Sequence, residues 1–135
     1  MKALFVASII ALAGAVSAQP QEAGQEYSPG EREQLAQAPI PGAEGQTLTI
    51  QRVTFPGGWT GDRHEHAGPV HVYVLDGSLK VQVDGAEEKV LSTGDFTAEP
   101  MNQPMVARNE SDAEPVTILL IQVSAEGAPI MTTTE

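Results

Sequence analysis

Apolar residues recur at every second position over much of this chain and rarely with the three-to-four spacing of a helix. In Leu79-Lys80-Val81-Gln82-Val83 the alternation is strict, so an extended backbone places the three apolar side chains on one face and the polar pair on the other. Residues 47–55 are β-branched and partly alternating, and the runs at 70–75, 89–91, 96–98, 105–109 and 115–123 are short and β-prone. Such side chains suit a pleated, half-buried surface. Pro56-Gly57-Gly58 ends the first run. Asp76-Gly77 and Asp84-Gly85 lie between later ones and carry the hairpin signal, because glycine accepts the positive φ of a tight turn. Many short strands with turns between them and no convincing helix predict an all-β sandwich or barrel in one domain.

The ends of the chain read differently. Lys2, an apolar run over 3–16 and Val16-Ser17-Ala18 before Gln19-Pro20 have the layout of a secretory signal peptide cleaved after Ala18. The run is too short for a transmembrane anchor and no later segment is apolar enough to span a bilayer. Export to the periplasm or the medium is the expectation. Residues 19–44 form a Pro/Gly/Gln/Glu-rich arm, whose first part to about Tyr27 reads as a mobile tether. Within it Ser28-Pro29-Gly30-Glu31 has the spacing of a helix capping box, although an extended arm fits equally well. The barrel is expected over 45–124, followed by a tail at 125–135.

Charge and cysteine narrow the function classes. The chain has 135 residues and a formal net charge of −11, and loss of Lys2 with the leader makes it more acidic still. A surface of that sign repels phosphate backbones and anionic headgroups, so neither nucleic acid nor a membrane surface is an expected partner. There is no cysteine, hence no disulfide and no thiol chemistry. A nucleophile elbow and a phosphate-binding loop are absent from the sequence as well.

All three histidines, His64, His66 and His71, fall within eight residues. His64 and His66 are two apart, so on a strand both imidazoles project from one face, the simplest way for a strand to offer two nitrogen ligands to one metal. Around them the chain resembles the cupin superfamily of small jelly-roll barrels. Gly58, His64, His66 and Gly77 fall on the first cupin motif, G-x5-H-x-H followed by a glutamate and a glycine. Gly94, Pro100 and Asn109 fall on the second, G-x5-P-x-G-x2-H-x3-N. The likeness covers roughly residues 45–123 and implies a cupin-like jelly-roll β-barrel. The departures bear on function: the family's glutamate ligand falls on Val70, its second-motif histidine on Met105, and the glycine before that histidine on Asn102. Two of four usual ligands remain.

Two imidazoles leave a divalent ion mostly hydrated, whereas a catalytic site normally keeps three protein ligands. Met105 reads first as apolar filler and second as a soft third ligand, which with His64 and His66 would suit copper. Strand parity puts His71 on the face opposite Val70, Val72 and Val74, so it reaches the interior only through a bulge or a register slip. Asp62, Glu65 and Glu99 read as solvated surface carboxylates. One metal ion, of Cu, Zn, Mn, Fe or Ni type, and a barrel without metal both stay open. The first functional reading is an exported module that binds a small molecule in a cavity lined by Phe55, Val70, Val72, Val81 and Met105, with the histidines at its polar end. The second is a metal-dependent enzyme of dioxygenase, isomerase or lyase type, for which no catalytic residue is readable. The third is a periplasmic copper-binding protein. The resemblance also implies a homodimer.

Overall fold

The computed structural model describes residues 30–135. The expected leader at 1–18, the tether and most of the capping box lie outside them. Ten strands are present among the described residues: β1 Glu31–Pro39, β2 Gln46–Phe55, β3 His64–Glu65, β4 Val70–Asp76, β5 Ser78–Val83, β6 Lys89–Ser92, β7 Phe96–Glu99, β8 Met105–Asn109, β9 Val116–Ala125 and β10 Thr132–Thr133. They form two five-stranded sheets in the orders β1-β2-β9-β4-β7 and β10-β3-β8-β5-β6. All strand pairings within them are antiparallel. This is an all-β jelly roll of two antiparallel sheets.

The alternation in sequence becomes the inside and outside of the barrel. On β4, Val70, Val72 and Val74 are buried while His71, Tyr73 and Leu75 are not. On β9, Val116, Ile118, Leu120 and Gln122 point inward. With Val53, Phe55, Trp59, Leu79, Val81, Leu91, Met105 and Ala107 these valines, Ile118 and Leu120 make one continuous core. Phe55 stacks on Trp59 with ring centroids 3.6 Å apart, filling one end of the barrel with aromatic surface.

Two local expectations are decided. Of the two readings left open for the arm, the extended one holds from Glu31, where the chain is strand, paired with β2 from Glu31↔Thr54 to Pro39↔Thr47. The open edge of β2 offers a whole row of backbone partners, which outweighs a single turn of helix soon ended by Pro39 and Pro41. Asp76-Gly77 does not close a hairpin. β4 pairs with β7 and β9, whereas β5 pairs with β6 and β8, so the turn carries the chain from one sheet to the other. Gly77 has φ +84°, and a Cβ there would stand 2.8 Å from the Pro115 carbonyl oxygen; only glycine passes that close. Asp84-Gly85 does join paired strands, β5 and β6.

The tail is part of the barrel. Met131 is buried, β10 pairs with β3, and Arg63 holds the segment with its side chain on the Thr134 hydroxyl at 2.9 Å and on the Glu135 carbonyl. The Thr134 amide donates back to the Arg63 carbonyl at 2.9 Å. Residues 126–135 thus form a strap across the mouth beside His64 and His66.

Candidate functional site

One rung of the first sheet defines the polar pole of the barrel. Its register aligns Thr49 with Gln122, Gln122 with Val70, and Val70 with Glu99, and all four are buried. Cross-strand partners share a face, so a hydroxyl, a carboxamide and a carboxylate project into the barrel around one short valine. From the opposite sheet, His64 and His66 point at the same pole, their ring centroids 5.0 Å apart and their planes at 82°. Met105 pairs with His64 across β3 and β8 and has no exposed surface.

Both imidazoles are fixed by the backbone. His64 Nδ1 lies 2.8 Å from the Asp62 carbonyl and His66 Nδ1 lies 2.8 Å from the Ile130 carbonyl in the strap. A carbonyl only accepts, so each Nδ1 carries a proton and each neutral ring keeps its Nε2 lone pair for the interior. His66 Nε2 is 3.0 Å from a Glu99 carboxylate oxygen, with the His66 side chain 1% and the Glu99 side chain 5% exposed. Nε2 can donate across that distance only when it is protonated, so the contact is a hydrogen-bonded ion pair in the charged ring and leaves Nε2 unmatched in the neutral one. Burial alone works against protonating His66, but the Glu99 carboxylate and the Ile130 carbonyl outweigh it, and its pKa is raised. For His64 burial prevails over the Asp62 carbonyl, and its pKa is lowered. Gln122 is 1% exposed and neither its Oε1 nor its Nε2 has a hydrogen-bond partner.

The expected site residues divide into two groups. His64, His66 and Met105 come together at this pole. His71 lies on the outer face, where it stacks on Phe96 with centroids 5.4 Å apart, because β4 keeps its register through Val74. Of the expected cavity lining, Val81 and Met105 border a cavity of about 350 Å³ together with Leu91, Thr97 and Glu99. Phe55, Val70 and Val72 do not line it; they are consumed by core packing, since Trp59 fills the end where Phe55 sits. Glu99 was the missed residue. Read beside Pro100 it resembled a surface carboxylate, and only the β4–β7 register turns it inward. Strict alternation over 96–99, with Thr97 and Glu99 on one face, was the available signal.

Other motif positions have structural reasons. Asn102 stands where the family has glycine and takes φ 53°, a left-handed conformation that asparagine tolerates better than most residues; its amide donates to the His66 carbonyl at 2.8 Å. Asn109 is buried and its Nδ2 donates to the Pro56 and Glu114 carbonyls at 2.9 and 2.8 Å, tying two loops together.

His64 and His66 offer two backbone-fixed imidazole nitrogens, donors of the type a divalent cation takes. Among the described residues no group of three His, Cys, Asp or Glu side chains is placed so that it could hold a metal ion. No helix among them is long and apolar enough to cross a membrane.

Residues 51–122 match the cupin domain family, more than half of the chain, and the protein belongs to that family. Solved structures agree on the fold. An RmlC-like cupin with a double-stranded β-helix fold from Methanocaldococcus jannaschii is 14% identical, over 80% of this chain and 94% of that one, with a TM-score of 0.59. KdgF from Halomonas sp. is 26% identical over 73% of this chain and 85% of that one, with a TM-score of 0.57. The DMSP lyase DddQ from Ruegeria pomeroyi is 21% identical at a TM-score of 0.57, over 64% of this chain, which spans only 43% of the lyase. No curated protein matches the chain significantly.

Proposed function

We propose that this protein binds a small polar organic molecule at the polar pole of its barrel, together with a divalent cation on His64 and His66. The observation that carries this reading is the buried Gln122 carboxamide, whose Oε1 and Nε2 both lack a hydrogen-bond partner, at the pole where His66 meets Glu99. Folded proteins pair nearly all such groups, because an unmet one costs about 1–3 kcal/mol. Groups kept unpaired against that cost mark a place where a ligand supplies the partner. A primary amide presents one donor edge and one acceptor edge, which suits a carboxylic acid or an amide. The acidic chain, with a net charge of −11, favours cation uptake and does not by itself favour an anion, so a bound cation would also help hold an acid.

Binding without turnover is the reading favoured here. When bound, a divalent cation supplies Lewis-acid polarisation of a ligand oxygen; the chain's own part is to orient the ligand through Gln122 and to hold or release one proton at His66 beside Glu99. A copper(I) site on His64, His66 and Met105 is disfavoured because Glu99 brings a hard oxygen donor against His66. We further propose export by the 1–18 leader and a homodimer through the outer face of the first sheet, where half-buried Leu48, Ile50, Leu119 and Ile121 lie beside exposed Phe96.

The test is a thermal-shift screen of small carboxylic acids, hydroxy acids and amides, with and without zinc. Hits that vanish in both Gln122→Leu and the His64→Ala/His66→Ala double variant support the pole. Hits untouched by either variant would place binding elsewhere and end the proposal.

A further inference from the structure

We infer that the first sheet carries a second ligand site, beside the polar pole, that takes a neutral sugar. A groove of about 530 Å³ runs between the inner face of β1 and β2 and the strap, within the range of about 300–1,000 Å³ that small-molecule clefts occupy. Three carboxamides and three hydroxyls make its polar wall: Gln34, Gln37, Gln51, Thr47, Thr49 and Ser124. Ile130 lines the groove as well, while its carbonyl serves His66 Nδ1. The strap is therefore the partition between this groove and the pole.

The chain departs from strand alternation to assemble this wall. Gln34 and Gln37 are three residues apart, so a regular strand would send them to opposite faces. A bulge between Gln34 and Ala36 inserts Leu35, after which Gln34 pairs with Gln51 and Gln37 with Thr49. Both partners are buried on the inner face of β2, and cross-strand partners share a face. Bulges recur beside binding sites because they re-aim a side chain. Gln51 Oε1 accepts from Arg32 Nη1 at 2.9 Å, which leaves its Nε2 as a donor. Amides and hydroxyls each donate and accept, the dual capacity of a sugar hydroxyl, so they meet it whichever way its proton points. Among the described residues Glu126 is the one charged side chain on the groove. A phosphorylated or acidic ligand would face that carboxylate on a chain of net charge −11. An apolar ligand would strand the amides and hydroxyls without water. An extended peptide docks on the backbone of a strand edge, whereas this groove presents side chains from a sheet face. Pro39 and Ile130 supply apolar surface for the C–H face of a sugar ring.

The experiment is calorimetric titration of the full chain with glucose, galactose, maltose, cellobiose and trehalose, preceded by an array of neutral oligosaccharides. At least one neutral sugar should bind at millimolar concentration or below. Gln34→Ala/Gln37→Ala should weaken it about tenfold, the loss of two hydrogen bonds, with the melting midpoint unchanged because both side chains are exposed on an edge strand. Ser124→Ala removes one hydroxyl and should give a smaller loss; it serves alone if circular dichroism shows that the double variant does not fold. The 6-phosphate of a bound hexose should bind more weakly than the hexose, and equal or tighter binding would overturn the neutral class. A sugar that binds both groove variants as it binds the parent overturns the groove. If that sugar is lost in His64→Ala/His66→Ala, it sits at the pole, and the proposed function stands without the second site. No binding by any neutral sugar on the array or in the titrations also ends the inference.

Discussion

His66 and His64 are two residues apart and respond to pH in opposite senses. The raised pKa of His66 means that its contribution to stability is complete below the ordinary imidazole value of 6.5 and is lost as pH climbs through the higher folded value. His64 is lowered, so the unfolded chain takes up a proton that the folded chain refuses, and stability is lost as pH falls below 6.5. Metal-free protein should therefore be most stable near pH 6.5 as far as these two groups decide. Denaturant melts across pH 5–8 with chelator present should show both limbs, and Glu99→Gln should flatten the alkaline one; an alkaline limb that stays unchanged would contradict the His66–Glu99 pairing. Gln122 predicts an exchange of stability for function. Replacing its unpartnered amide by leucine should raise stability by about 1 kcal/mol while removing ligand binding. Asn109→Ala should cost about 2–3 kcal/mol, because it strips buried carbonyls of their donor.

At the scale of elements, the strap at 126–135 matters most to the site. Its Ile130 carbonyl fixes the His66 ring, and Arg63 clasps its end through Thr134. Removing residues 130–135 deletes β10 and the buried Met131 but should leave the other strands paired and free the His66 ring. Zinc affinity should then fall roughly tenfold, as when the group orienting a metal ligand is lost. Near-native far-ultraviolet dichroism with unchanged zinc affinity would show that the strap does not orient His66. β1 is the other added element. It lies on the edge of β2 with most of its residues exposed, so it extends the first sheet beyond the part its sister sheet covers.

For the whole molecule, the outer face of the first sheet is the unresolved expense of the fold: Phe96 is 60% exposed there and stacks on His71. If that face pairs two copies, Phe96→Lys should halve the mass measured by light scattering without changing the melting midpoint extrapolated to low concentration. A monomeric parent would remove the homodimer.

Alternation, turn residues and the His-x-His spacing determined the class of fold, the positions of seven of the ten described strands to within two residues, and the face on which His64 and His66 lie. Those properties are local, set by the two-residue period of a strand and by glycine's access to positive φ. Partner choice between strands is not local. It decided that Asp76-Gly77 crosses between sheets, that the tail straps the mouth, and that Phe55, Val70 and Val72 are core and not cavity wall. It also turned Glu99 from an apparent surface carboxylate into the neighbour of His66, because its inward direction has meaning only once β7 is in register with β4.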